Sequence, residues 1–286
     1  MNNDALEIAE ELKKFLQENL FLLLEEAREL IQSLPEKSTR FEQIVRRSLT
    51  ERLFLLFWDI LDSFKKQTEI GYFTTASLTR TVFETVIVIF YLESENLGES
   101  KHQRLSNWVG YARKEAEKRK NALFEMASGP EKDISDAACN EAKHAKQIVE
   151  TFDDILEKTK LSCESQYGFP KISKICEKLG RPWKFMYHAV YRDLSEVLHV
   201  GCAKIMHSPS LAFCSSNSGS ALLYEHCRTV NYATEFWGMA ILELCRSHLR
   251  QEKVDNFHQK LEKLLGGSTS IINRFDPDKQ AHAIIF

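Results

Sequence analysis

Apolar residues recur every three or four positions along almost the whole chain, the spacing that puts one face of an α-helix in a core. Over residues 4–33, Leu6, Ala9, Leu12, Leu16, Leu20, Leu23, Ala27, Leu30 and Ile31 keep that step and predict one long amphipathic helix ended by Pro35. Ser38 or Thr39 can cap a second helix, which runs to about Thr68 on Phe41, Ile44, Val45, Leu49, Leu53, Leu56, Trp58, Ile60, Leu61 and Phe64. A third, over about 73–94, is apolar almost all round, as suits a helix at the centre of a bundle. Residues 100–127 predict a fourth, broken by Ser128-Gly129-Pro130. Residues 133–161 predict a fifth with a near-heptad repeat and small Ala138, Ala142 and Ala145, and these two helices form an antiparallel hairpin. A loop at 162–171, a short helix near 172–179, and a helix opened by Gly180 and Pro182 follow. Residues 207–220 read as a long loop, 221–250 as a long helix and 253–265 as a last helix stopped by Gly266-Gly267.

The predicted fold is all-α: a mostly antiparallel bundle of eight or nine helices containing one long helical hairpin. The expected organisation is a single helical domain over 1–265, with the helix pair in 1–68 able to stand as an appendage, and a C-terminal tail at 266–286. Composition agrees, because 11 glycines and 6 prolines in 286 residues disfavour a turn-rich β fold. The seven cysteines form no C-x-x-C pair, so neither a zinc knuckle nor a disulfide framework is expected. A net charge of −3 gives no general nucleic-acid signal, but Lys101, Arg104, Arg113, Lys114, Lys118, Arg119 and Lys120 make a basic stretch that can attract phosphate or simply be a solvated helix face. The acidic start MNNDALEIAEE lacks the features of a signal peptide, and the greasiest run, 82–92, contains Glu84 and is too short to span a bilayer; a cytoplasmic protein without membrane contact is expected.

Candidate chemistry collects on "YRDLSEVLHVG" at 191–201. In a regular helix His188, Arg192, Ser195 and His199 fall on one polar line, while Val190, Leu194, Val197 and Leu198 face the core. Guanidinium is a planar, permanently charged fork for phosphate, and imidazole moves a proton near neutrality. Together they suit cleavage of RNA by its own 2′-hydroxyl without a metal or other cofactor. Glu84 lies in an apolar helix and needs a partner; Arg80 one turn earlier, or Arg192 or His199 from another helix, can supply it.

Arg192-Asp193, five residues and then His199 resemble the R-x(4–6)-H signature of HEPN ribonucleases, and Arg181 with His188 makes a second match. That resemblance implies an all-helical, dimeric nuclease of the kind found among bacterial toxins and antiviral effectors, acting on RNA or with a protein partner of a defence system. Asp193 fits the polar residue that often follows the arginine. It implies His199 as general acid and base and Arg192 as phosphate clamp, with Ser195, Glu84 and Arg80 orienting them. A second resemblance covers about half the chain. Arg80-x-x-x-Glu84 followed by Tyr191, Ser195 and His199 in Y-x-x-L-S-x-x-x-H is similar to a bacterial family of helical domains of unknown function, which implies the fold and these residues but no reaction.

Two other readings stay open. In one, Arg80, Glu84, Arg192 and His199 are an interior polar network that sets helix register in a non-catalytic protein- or ligand-binding module. In the other, Glu141 with His144 and Glu196 with His199, both E-x-x-H, join Glu84 and Glu235 in a di-iron carboxylate bundle. His144, His226, His248 and His258 are expected on solvated faces, and Trp58, Trp108, Trp183 and Trp237 in the core.

Overall fold

The computed structural model describes residues 3–34, 40–65, 69–129, 131–159, 169–198, 218–246 and 249–274. Among them are nine helices and no strand: α1 (Asn3–Gln32), α2 (Arg40–Lys65), α3 (Glu69–Glu93), α4 (Lys101–Ala127), α5 (Lys132–Thr159), α6 (Ile172–Leu179), α7, α8 (Ser218–Arg246) and α9 (Gln251–Ile272). Helix α7 begins as Arg181–Met186, passes through a π-helical turn at Tyr187–Tyr191 and continues as Arg192–Leu198. The chain is all-α, as its periodicity predicts. The expected stop of α1 at Pro35, the Ser38/Thr39 cap, the bulk of the 162–171 loop, the 207–217 loop and the end of the tail lie outside the described residues.

The described residues fall into two compact units, one comprising residues 1–90 and 176–286, the other 91–175. In the first, α8 is the central helix. Trp237 stacks on Phe57 of α2 at 5.0 Å and meets Phe54 and Phe257 edge-on, while Phe236 meets Phe83 of α3 at 5.0 Å. The pairs Phe57–Trp237 and Phe64–His226 make α2 antiparallel to α8. Helix α3 is long and apolar enough to cross a bilayer by length and composition, yet 61% of its most apolar window is buried within the protein.

Helix α9 runs antiparallel to α8 and to α1, and its Gly266-Gly267 does not end it. A Cβ at Gly267 meets the Phe15 ring of α1 at 2.5 Å, and one at Gly238 of α8 collides with the Leu261 side chain of α9. These glycines therefore permit close helix contact, and tertiary packing overrides their poor helix propensity. Asn231 of α8 accepts from the Ser268 hydroxyl and donates to Thr269 Oγ1 at 3.2 Å, which fixes the register of α8 on α9.

The second unit is built on the α4–α5 hairpin, where Ala138, Ala142 and Ala145 are buried and let the helices approach. Most of its basic stretch is neutralised by carboxylates, while Lys114 is exposed. Arg113 pairs with Asp153 at 2.5 Å and Glu117 at 2.9 Å, Lys118 with Glu115, Arg119 with Glu141, Lys120 with Glu117, and Lys101 with Glu93 and Glu95. Arg104 is fully buried. Its guanidinium donates to the carbonyls of Glu99 and Ser94 and, at 3.4 Å, to that of Leu92, closing the C-terminal end of α3. The Tyr91 ring lies against it, with 5.7 Å from Cζ to the ring centroid. Desolvation pulls the Arg104 pKa below the ordinary arginine value despite the opposing pull of Tyr91, Glu99 and Glu93.

Candidate functional site

Helix α7 lies antiparallel to α3, as Arg80 and Glu84 meet Tyr191 while Phe90 meets Trp183. The Tyr191 hydroxyl donates to Glu84 Oε1 at 2.8 Å and accepts from Arg80 Nη2 at 3.3 Å; Arg80 Nε donates to the same Glu84 oxygen at 3.3 Å. Arg80 also covers the Tyr191 ring, with Cζ 5.2 Å from its centroid. The ring packs on Phe83 and stacks on Tyr187. Burial and the Glu84 hydrogen bond raise the Tyr191 pKa, so the phenol keeps its proton. Arg80 loses some basicity to desolvation, but Tyr191 and Glu84 outweigh this and its pKa rises. The expected Arg80–Glu84 pair therefore exists, and it is half-exposed, with side-chain accessibilities of 25% and 36%.

The other flank of α7 is held by α8. Asp193 lies 3.6 Å from Arg228 Nη2, which also binds Glu225 at 3.0 Å and whose guanidinium covers Tyr232. Between these clamps the π-turn changes the geometry. The Arg192 amide bonds the carbonyl of Tyr187, five residues back, so one extra residue enters the turn. Successive residues then advance by about 100°. Tyr191 and Asp193 thus point to opposite flanks, Val190 and Leu194 are buried, and Arg192 points away from the core and is exposed. Among the described residues Arg192 makes no hydrogen bond or ion pair with a side chain.

Of the residues singled out from sequence, Arg80 and Glu84 are brought together, and Ser195 sits one turn beyond Tyr191 with its hydroxyl donating to the Tyr191 carbonyl at 2.8 Å. Arg192 is not part of the Glu84 network; Tyr191 takes the place expected of it. His199 and the side chain of Glu196 lie outside the described residues. Tyr191, which the sequence offers as the leading residue of Y-x-x-L-S-x-x-x-H without a role, is one of the residues that hold α7. Sequence reasoning missed Arg228, which carries no signal.

No group of three or more His, Cys, Asp and Glu among the described residues could hold a metal ion, and Glu141 is engaged by Arg119. Glu235 is buried on α8 with Oε1 unpartnered, and burial raises its pKa to about 8. The expectation of a solvated His226 is corrected: it is buried, shares a 2.8 Å hydrogen bond with Thr75 Oγ1 and is edged by Phe64. Its imidazole falls to a pKa of about 4 because burial disfavours the cation. Trp58, expected in the core, is substantially exposed. Among the described cysteines, Cys176, Cys227 and Cys245 are buried free thiols whose pKa values are raised by desolvation, and none of them is set up as a nucleophile.

The model of a family of unknown function, DUF5677, matches residues 52–211, and the chain belongs to that family. The matched stretch includes Arg80, Glu84, Tyr191, Arg192, Ser195 and His199. No curated protein and no solved structure matches the chain.

Proposed function

We propose that this DUF5677 member is a metal-independent endoribonuclease with Arg192 as its phosphate clamp and His199 as its proton-transfer group. One observation carries the reading: Arg192 is an exposed guanidinium without an acidic partner among the described residues, on a helix whose flanking Arg80 and Arg228 are both neutralised by carboxylates. An arginine held on a rigid element and left uncompensated is suited to a phosphate oxygen.

In this mechanism the neutral His199 imidazole takes the proton of a ribose 2′-hydroxyl. The 2′-oxygen forms a bond to phosphorus as the bond from phosphorus to the 5′-oxygen breaks. The leaving oxygen takes a proton from water, giving a 2′,3′-cyclic phosphate and a 5′-hydroxyl end. Arg192 compensates the charge that grows on the non-bridging oxygens. Tyr191, Glu84 and Arg80 are positioning residues that fix the rotation of α7, and Ser195 steadies its backbone. In cells, the reading is of a toxic or defence effector.

The test uses the full chain, end-labelled single-stranded RNA and EDTA in the buffer. Wild type yields cyclic-phosphate ends and leaves a 2′-deoxy strand intact. His199→Ala and Arg192→Ala each lose on the order of 10²-fold or more in rate at unchanged helicity and melting temperature. Wild-type protein that cuts no RNA, or a His199→Ala variant as active as wild type, sinks the proposal. The competing reading, a non-catalytic binding module, is favoured by the internal satisfaction of Arg80, Glu84 and Tyr191. It predicts no cleavage and a loss of stability in Glu84→Gln.

A further inference from the structure

Helices α1 and α2 carry an apolar outer surface that nothing among the described residues covers. Phe21 and Leu22 of α1 are 51% and 68% exposed, and Leu55 and Trp58 of α2 are 67% and 44% exposed. They are neighbours, since Phe21 meets Trp58 edge-on at 6.5 Å between centroids and Leu55 is one turn before Trp58. Exposed Glu18 and Glu25 rim the patch on α1. Large apolar side chains grouped in this way, with an exposed tryptophan inside a polar rim, have the make-up of a protein–protein contact.

The charges on α2 say which protein. Arg52 and Asp59 are both exposed, and neither has a side-chain partner among the described residues, although Arg47 and Glu51 next to them are paired at 2.7 Å. Seven residues apart, they lie on one line of the helix about 10 Å from each other, too far to pair within the chain. Leu55 lies between them. The stripe therefore reads positive, apolar, negative. A two-fold axis through Leu55, perpendicular to α2, brings a second α2 across it in the opposite direction. Each Arg52 then faces the Asp59 of the other copy, and Leu55 and Trp58 from both copies meet in the middle. A surface that is complementary to itself under a two-fold is what an isologous contact requires. A stripe with both signs of charge also gives an anionic bilayer no net attraction.

We infer that the α1–α2 face is a two-fold interface between two copies of this chain, with Leu55 and Trp58 at its centre and reciprocal Arg52–Asp59 ion pairs at its edges. This stands apart from RNA cleavage, because none of these residues belongs to the α7 site.

Sedimentation velocity on the full chain from 1 to 100 µM, at low and high salt, tests it. Wild type sediments at twice the 33.1 kDa chain mass, and dissociates more readily in salt because the edge pairs are screened. Leu55→Asp is monomeric across the range with an unchanged circular dichroism spectrum and melting temperature, as befits an exposed position. Arg52→Asp weakens association at least tenfold, and combining it with Asp59→Arg in the same chain restores it. A wild-type monomer at 100 µM overturns the inference. So does a dimer indifferent to Leu55→Asp, or a charge swap that fails to rescue. Flotation of monomeric wild type with phosphatidylcholine–phosphatidylserine vesicles, lost in Leu55→Asp, assigns the face to lipid and overturns it equally.

Discussion

Replacing Glu235 by glutamine should change how stability depends on pH, in a window fixed by the burial of that one carboxyl. Burial raises its pKa from an ordinary 4.5 to about 8. From about pH 4.5 the unfolded chain gives up this proton while the folded chain keeps it. Folding stability therefore falls by about 1.4 kcal/mol per pH unit until the folded carboxyl itself ionises near pH 8. The whole shift is worth ~5 kcal/mol at most. His226 works in the opposite sense, with a pKa lowered from 6.5 to about 4. Its unfolded form is protonated below 6.5 while the folded form stays neutral, so stability is lost as pH falls through that range. Between about pH 4.5 and 6.5 the two effects oppose each other, and above 6.5 Glu235 acts alone. Urea denaturation followed by tryptophan emission, for wild type and Glu235→Gln at pH 5 to 8, isolates the carboxyl because every other group cancels in the difference. Glutamine has its own cost in the buried site, but that cost does not vary with pH. The variant should gain on wild type by about 3 kcal/mol between pH 5 and 7.5. A difference flat to within about 0.5 kcal/mol over that interval would mean that the ionised carboxylate has a partner or water in the core, and the reasoning would be wrong.

Two further perturbations probe the polar clamps. Tyr191→Phe deletes the hydroxyl shared by Glu84 and Arg80 but keeps the ring against Phe83 and Tyr187, and should cost about 1 kcal/mol, since Glu84 is partly solvated. In a double-mutant cycle with Glu84→Gln the two losses should be less than additive by a similar amount; strict additivity would show that the hydroxyl does not use this carboxylate. Arg104→Met leaves the carbonyls of Ser94 and Glu99 without their donor, and should cost roughly 2–4 kcal/mol and accelerate amide hydrogen exchange in Ser94–Arg104. Unchanged protection there would exclude the capping role.

The all-α fold was legible because helices buried on one face write their period into the sequence. Helices α1 and α5 start and end within about two residues of the expected places, and the α4–α5 hairpin follows from the alanine stripe. The pattern failed where a distant neighbour decides. Gly266-Gly267 reads locally as a helix stop, but the Phe15 ring fills the space that the missing side chain of Gly267 leaves. His226 reads as polar and solvated, but Thr75 and Phe64, far away in sequence, bury it. Arg104 counts towards a basic stretch, yet it is the internal cap of the preceding helix. Of the candidate site, the Arg80–Glu84 pair was readable as an i,i+4 couple in an apolar helix. The π-turn was not, because nothing in Tyr187–Tyr191 marks an inserted residue.

The residues on either side of Arg192 decide what the site can do. Tyr191 is tied to α3, Asp193 to α8, and Val190 and Leu194 to the core, and together they set the orientation of Arg192. Glu84 Oε1 and the Tyr191 hydroxyl are engaged with each other and with Arg80. Arg80 and Arg228 are likewise committed to carboxylates. On this face the exposed Arg192 guanidinium makes no side-chain hydrogen bond or ion pair among the described residues; it cannot move a proton but can hold an anion. Arg192→Ala should therefore weaken any anionic ligand of this face without loosening α7, whereas Tyr191→Phe should loosen α7 and affect the ligand only through that. A variant pair with the reverse behaviour would mean that the helix is held by Arg192 after all.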